Sequence, residues 1–193
     1  MIVELSKKYQ SIYGMPYVTR VDTDLFTFAY MGGSCFDNGN CKDVCCSEGV
    51  LMDSRAFNEL LKYKDEPEFA GIDFDYPFAE DTLASGGLGH DSRVVNGSCT
   101  FRDWKNRGCL IHGFANKIGR DFREIKFFYC SLFPADVEHT EMLTIGKILR
   151  RPGYLDCSKG TSTVYKVSRP DIEYYYGKEL IAELDGLEKQ YVK

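Results

Sequence analysis

The chain has 193 residues, of which 44% are hydrophobic and 27% are charged, and its formal net charge is −5 at pH 7. This composition suits one domain with a substantial core. It excludes a disordered chain and the basic surface of a nucleic-acid-binding protein. No apolar run reaches the length of about 18 residues that a membrane helix needs, and charges interrupt the first segment before a secretory signal can form. We therefore expect a cytoplasmic protein.

The predicted elements of the first half begin with a strand, because β-branched and aromatic residues dominate residues 17–28. Asp53 is predicted to cap a helix that carries an apolar stripe of Phe57, Leu60 and Leu61 and ends before Pro67. Residues 65–81 contain seven acidic side chains and no basic one. This excess of like charge predicts a long solvated loop.

In the second half, apolar residues at helical spacing predict a short helix over 111–118. Pro170 is predicted to reset the chain before a final helix over about 178–191. Three short stretches are strand candidates: residues 125–129, 144–149 and 162–167. Together these elements predict an α+β fold. We expect a small single domain over 1–193, with short strands, a few helices and much irregular backbone organised around a cysteine-ligated metal.

The eight cysteines are clustered. Their spacing along the chain is Cys35-x5-Cys41-x3-Cys45-Cys46, then Cys99-x9-Cys109-x20-Cys130, then Cys157. The first four lie within 12 residues, so they could share one centre or two neighbouring centres at little loop-closure cost. Thiolate is a natural ligand of zinc and of iron–sulfur clusters, and both commonly take four. Eight thiols could therefore complete two centres.

The charge around the later cysteines also favours a metal. Residues 99–130 contain seven basic and three acidic side chains. Four thiolates around Zn²⁺, or around an oxidised [4Fe–4S] core, leave a net charge of about −2, which nearby cations stabilise. We expect this basic segment to supply such cations.

Other interpretations of the thiols remain open. The cysteines could form the disulfides of an extracytoplasmic domain, although adjacent residues such as Cys45 and Cys46 pair with each other only with difficulty. They could also be buried as small hydrophobic side chains. His112, three positions after Cys109, could ligate a metal, donate a hydrogen bond to a sulfur, or simply pack as a helix residue.

Four sequence blocks follow one another within residues 35–134: CKDVCCSEG from Cys41, GSCTF from Gly97, GCLIHGFA from Gly108 and KFFYCSLFP from Lys126. In this order they resemble the cysteine-cluster family of zinc- or iron-chelating domain proteins. CSKG from Cys157 is similar to a later Cys-x-Gly element, whereas Phe127 stands where the family often has proline. The resemblance implies metal binding by the matched cysteines. Some relatives with this type of cluster look like iron–sulfur-dependent protein-lysine methylases, which implies an enzyme of protein modification as an alternative.

The sequence thus predicts a cytoplasmic metal-binding protein without a visible catalytic motif. The expected ligand is Zn²⁺ or a [4Fe–4S] cluster, in one or two centres, and neither nucleic acid nor a membrane is an expected partner. The predicted metal ligands are Cys41, Cys45, Cys46, Cys99, Cys109 and Cys130, joined by Cys35 and Cys157. Enzyme activity, biological role and protein partners are left open.

Overall fold

A computed structural model describes residues 1–31, 43–47, 49–74, 80–82, 88–139, 141–151 and 160–192. Its strands are β1 Ile2–Tyr9, β2 Val18–Asp22, β3 Ala29–Tyr30, β4 Leu51–Asp53, β5 Glu80–Thr82, β6 Leu88–Asp91, β7 Val94–Val95, β8 Ser98–Cys99, β9 Ala135–Glu138, β10 Met142–Ile145 and β11 Ser162–Thr163. Its helices are α1 Asp24–Thr27, α2 Ser54–Leu61, α3 Leu110–Lys117, α4 Phe128–Leu132, α5 Val164–Tyr176 and α6 Lys178–Tyr191. The predicted α+β class is confirmed.

The chain forms two compact units. One comprises residues 1–41 and 132–193, and the other comprises residues 42–131. The single domain predicted for 1–193 stays a prediction beside this division. Within the described residues, no helix is long and apolar enough to cross a membrane.

The unit of residues 1–41 and 132–193 is built on a four-stranded sheet in the order β1-β2-β10-β9, in which β2 and β10 are parallel and the other pairs are antiparallel. All four residues of β10 are buried, as expected for a strand covered on both faces. The two long helices α5 and α6 are tied together by side chains. Asp185 accepts hydrogen bonds from the Tyr165 hydroxyl at 2.6 Å and from Arg169 at 2.8 Å.

The unit of residues 42–131 contains the antiparallel sheet β4-β6-β5, the β7–β8 hairpin, helices α2 and α3, and α4 except for its last residue. As predicted, Asp53 caps α2, because its side chain accepts the Ala56 N–H at 2.8 Å. Most of the core side chains are large and apolar, and several are phenylalanines. The core of this unit comprises Met52, Ala56, Leu60, Phe69, Cys99, Phe101, Ile111, Phe114, Ala115, Ile125 and Phe127.

Helices predicted from apolar periodicity are confirmed, with α3 at Leu110–Lys117 and α6 at Lys178–Tyr191. Strands predicted from short apolar runs were wrong in whole or in part. The strand expected at 125–129 is wrong, because α4 begins at Phe128. Of the strand expected at 162–167, Ser162–Thr163 alone is extended, and the Thr163 side chain caps α5 by accepting the Lys166 N–H. A short apolar run satisfies its burial equally well as helix or strand.

Pro170 lies inside α5 instead of ahead of the last helix, so the predicted chain reset is wrong. The ring removes one intrahelical hydrogen bond, but Ser168 and Ile172 are fully buried on either side of it. Packing therefore keeps this helix continuous. The acidic segment 65–81 is not uniformly solvated either, because the side chain of Phe69 is 1% exposed; residues 75–79 lie outside the described range.

Candidate metal centre

Five of the eight predicted ligands belong to the described residues, and all five lie in the 42–131 unit. Cys99 is a member of its core, and Cys46, Cys109 and Cys130 pack against that core. Cys35, Cys41 and Cys157 lie outside the described residues. The described thiols therefore border an apolar interior, where little water competes for a ligand.

Cys45 and Cys46 lie on a single 3-10 turn, Val44–Cys46. Their Sγ atoms are 4.0 Å apart, about twice the S–S bond length of about 2.05 Å, so no disulfide joins them. The Cys46 N–H donates to the backbone oxygen of Asp43 at 2.9 Å, which closes the turn. Two adjacent thiols in a turn can reach one centre, whereas in extended backbone they would point apart.

Cys99 and Cys109 are brought together by backbone pairing. Cys99 ends the β7–β8 hairpin, opposite Val94, and Cys109 forms an antiparallel bridge with Arg102. The Leu110 N–H donates to the Phe101 oxygen at 2.8 Å, which holds the two flanks of the intervening loop side by side. Cys99 and Cys109 are ten positions apart in sequence, and this backbone pairing brings them close together.

Cys109 immediately precedes α3. Burial raises the pKa of its thiol, while the charge of Lys126 and the backbone N–H groups of His112 and Ile111 act in the opposite direction. Amide groups at the first turn of a helix favour negative charge. The position therefore supplies some stabilisation to a thiolate at Cys109.

Cys130 lies in α4, and the start of that helix is fixed by the second carboxylate oxygen of Asp53, which accepts the Phe128 N–H at 2.8 Å. Burial raises the pKa of Cys130 well above its ordinary value, and the neighbouring thiols of Cys109, Cys99 and Cys45 raise it further. The thiols of Cys109, Cys99 and Cys45 are therefore near enough to Cys130 to affect it electrostatically.

Lys126 is a described cation that acts on two of these thiols. Its positive charge lowers the pKa of both Cys109 and Cys130, and its Nζ lies 5.4 Å from the centre of the Phe122 ring. It belongs to the basic segment 99–130. The segment thus brings one positive charge near these thiols, and its expected role in stabilising a metal centre stays a prediction.

His112 lies beside the thiols with its ring stacked on Phe122, at a centroid distance of 4.2 Å. Burial and the charge of Lys126 lower the pKa of His112 to about 4. The imidazole is therefore neutral near pH 7. The choice among metal ligation, a hydrogen bond to sulfur and simple packing stays a prediction for His112.

The chemistry of the donors fits a metal, although the described part of the chain does not complete a site. Within that part, no three Cys, His, Asp or Glu side chains have the arrangement of a metal site, and three of the predicted ligands lie outside it. The buried Nε atom of Arg102 has no hydrogen-bond acceptor among the described residues. A thiolate sulfur of a loaded centre would be a suitable acceptor for such a donor.

Sequence reasoning did not find the contacts that Asp43 and Arg102 make beside the described cysteines, nor the second role of Asp53. Asp43 is buried, and its carboxylate contacts Arg102 and Gly108. The sequence signal that could have pointed to Asp43 is its position as the acidic residue inside the cysteine block CKDVCC. An aspartate between ligands is often solvated, so the signal alone does not reveal a buried acceptor.

Comparison with known proteins returned nothing: no family model, curated protein or solved structure matches this chain. The resemblance of the four cysteine blocks to the zinc- or iron-chelating family stays a prediction.

Proposed function

We propose that the protein binds a metal centre, Zn²⁺ or a [4Fe–4S] cluster, through its clustered cysteines. The observation that carries the proposal is the grouping of thiols at one buried core, which contains Cys99 and is contacted by Cys46, Cys109 and Cys130. The thiols of Cys109, Cys99 and Cys45 also raise the pKa of Cys130. Collecting thiols in a buried region is costly if they must ionise alone, because like charges repel. A metal ion offsets that repulsion and favours the thiolate form.

The full ligand set of the proposal also includes Cys46, Cys41, Cys35 and Cys157, which would allow one or two centres. Thiols from distant parts of the chain meet at a metal when the fold brings them within bonding distance. Cys46, Cys99, Cys109 and Cys130 are free thiols, which favours metal ligation over the disulfide alternative. It also suits the reducing cytoplasm, the compartment that we propose for this protein.

In this proposal the protein supplies sulfur ligands, a dry apolar wall and positive charge. Zinc would supply a fixed tetrahedral anchor, and an iron–sulfur cluster would add electron transfer. Lys126 would stabilise the negative charge of the thiolates. Four protein ligands per metal close a site, whereas three leave a position for substrate, so ligand counting separates a structural or carrier role from an enzyme.

The test is the metal content of protein purified without oxygen. We expect at least about one metal ion or cluster per chain. Broad visible absorbance together with acid-labile sulfide would identify an iron–sulfur cluster, and a colourless protein with stoichiometric zinc would identify zinc. Metal well below one equivalent per chain, after both anaerobic purification and reconstitution, would refute the proposal.

A matched pair of variants connects the metal to the described thiols. Cys109→Ser removes one predicted ligand with little change in volume, and Thr100→Ser makes a similarly small change in the same loop, next to Cys99, without removing a thiol. We expect Cys109→Ser to lower the metal content or to speed the loss of metal to a chelator. Thr100→Ser should behave as wild type. Equal metal retention by both variants would exclude Cys109 from the centre.

A further inference from the structure

A buried carboxylate stands between two of the cysteine segments. The side chain of Asp43 is 4% exposed, and its two oxygens accept from different partners. Oδ1 accepts the Gly108 N–H at 3.1 Å, and Oδ2 accepts from Nη2 of Arg102 at 3.3 Å. Gly108 directly precedes Cys109, while Asp43 begins the turn that carries Cys45 and Cys46.

Arg102 extends this connection to the segment that carries Cys99. Its Nη1 donates to the Ser98 hydroxyl at 2.9 Å, next to Cys99, and its backbone forms the bridge to Cys109. The guanidinium also lies 4.3 Å from the centre of the Trp104 ring. One planar cation therefore fixes the hairpin while it pairs with the carboxylate of the Cys45–Cys46 turn.

The backbone is shaped for this contact. Asp43 has φ +54° and Gly108 has φ +81°, both in the left-handed region. Aspartate and asparagine tolerate this region better than most residues, and glycine adopts it freely. Because the two contacting positions have a restricted choice of residue, the approach of the turn to the hairpin is a specific feature of this chain.

We propose that Asp43 is a positioning residue, which joins the Cys45–Cys46 turn to the Cys99–Cys109 hairpin through Gly108 and Arg102. In doing so it sets the spacing between the thiols of the two segments. The effect of Asp43 on metal binding rests on the proposed function. The contact by which Asp43 joins the two segments does not. Groups behind the ligands control metal geometry in this way in many centres.

Two substitutions separate the parts of this contact. Asp43→Asn keeps the shape and the tolerance for positive φ but removes the charge that pairs with Arg102. Asp43→Gly removes both acceptor oxygens and still suits φ +54°. The matched control is Asp22→Asn in the other unit, where a buried carboxylate also accepts from an arginine, Arg150, at 2.7 Å.

The first measurement is independent of metal. Amide hydrogen exchange at Gly108, followed by NMR, should accelerate by roughly tenfold or more in Asp43→Gly, because the N–H loses its acceptor. Asp43→Asn should give a smaller increase, since its amide oxygen can still accept. The control should leave Gly108 unchanged. Exchange at Gly108 equal to wild type in Asp43→Gly would overturn the inference.

The second measurement is the spectrum of the protein loaded anaerobically with Co²⁺. Visible ligand-field bands and near-ultraviolet sulfur-to-cobalt bands report the geometry and number of thiolate ligands. We expect altered bands and faster Co²⁺ release in both Asp43 variants, and in Arg102→Lys, which keeps the charge but loses the planar fork. Asp22→Asn should retain the wild-type spectrum, because its carboxylate has no part in the thiol cluster.

The two measurements distinguish the two possible failures. If wild-type protein binds neither Co²⁺ nor its native metal while Gly108 exchange still responds to Asp43, the proposed function falls and the positioning contact stands. If wild type binds Co²⁺ and both Asp43 variants give its spectrum and release rate, the positioning role is refuted. Should Asp43→Gly fail to fold, Asp43→Asn decides by the same two criteria.

Discussion

Two buried aspartates in the 42–131 unit serve as acceptors for backbone groups far away in sequence. Asp43 accepts the Gly108 N–H, and Asp53 accepts the Phe128 N–H while it caps α2 through Ala56. A buried carboxylate that receives several hydrogen bonds holds its neighbours in a defined geometry. Because Gly108 and Phe128 lie close to Cys109 and Cys130, these two side chains contribute directly to the placement of thiols.

At this scale we predict that Asp53→Ala lowers the free energy of unfolding by about 2–4 kcal/mol. The change removes the cap of α2 and leaves the Phe128 N–H buried without an acceptor. It also removes the ion pair between Asp53 Oδ1 and Nε of Arg55, which are 3.4 Å apart. Urea unfolding of wild type and variant measures the difference.

The control for Asp53 is Asp103→Ala. This carboxylate accepts the N–H groups of Lys105 and Asn106 within one exposed loop, so its loss should cost below about 1 kcal/mol. Equal losses in the two variants would contradict the role assigned to Asp53.

A second residue, Asp136 in the other unit, gives a prediction for pH. Burial raises the pKa of this carboxyl from 3.8 to about 6, with the Val137 N–H and Lys147 opposing the shift. Between these two values the folded protein holds the proton more tightly than the unfolded chain, so the contribution of Asp136 to stability falls as pH rises from about 4 to about 6.

Asp136→Asn should therefore be more stable than wild type at pH 8, by up to about 2 kcal/mol after allowance for partial solvent screening, and the two should converge near pH 4. The measurement is urea unfolding of both proteins across this pH range. Glu4→Gln, at an exposed strand position, is the control and should show no such divergence. A wild-type advantage at pH 8 would show that the carboxylate is better solvated than its burial indicates.

The residue types of the candidate centre could be predicted from sequence, but the residues that place them could not. The cysteine cluster can be recognised from its spacing in the sequence, and the helix cap at Asp53 follows from the preference of aspartate for N-cap positions. The second acceptor role of Asp53 and the buried position of Asp43 depend on Phe128, Arg102 and Gly108, which are 59 to 75 positions away. No local pattern encodes such a contact.

At the scale of elements, the junction between α5 and α6 depends on one glycine. Gly177 alone separates them, with φ +83°. Gly186 lies inside α6, and a Cβ built at either glycine would meet nothing within 4 Å. The two positions therefore offer equal space and differ in backbone conformation.

This pair gives opposite predictions for the same substitution. Gly186→Ala should raise the free energy of unfolding by about 0.5–1 kcal/mol, because alanine restricts the unfolded chain and favours helix. Gly177→Ala should lower it by about 1 kcal/mol or more, since an alanine is strained at positive φ. Thermal and urea unfolding measure both. Changes of the same sign would mean that space, and not φ, governs these positions.

The predictability of elements follows the length of their local signal. Helices α3 and α6 repeat apolar residues over two turns or more, and both were predicted close to their observed bounds. Helix α4 has five residues, too few for a period to be read. In α5, Val164 and Tyr165 favour a strand by type, yet both are fully buried in a helix, because packing outweighs intrinsic preference.

For the whole molecule, the division into two units has a consequence for metal binding. The described cysteines all lie in the 42–131 unit, whereas the four-stranded sheet and the helices α5 and α6 belong to the other unit. Binding to the folded state stabilises the part of the structure that contains the ligands. A centre formed by these five thiols, without Cys35, Cys41 and Cys157 of the other unit, should therefore stabilise mainly the 42–131 unit.

We predict that an anaerobic chelator increases hydrogen exchange mainly in the 42–131 unit, as followed by mass spectrometry of peptides. Amides of α3 and of the Cys99–Cys109 loop should lose protection, because the thiols that flank them lose their shared partner. Peptides from α5 and α6 serve as the internal control and should change little. Since Asp43, Asp53 and an aromatic core also hold the 42–131 unit together, we expect loosening around the thiols before complete unfolding. Equal loss of protection in both units would mean that the metal stabilises the whole chain, and unchanged protection around Cys109 would argue against a centre there.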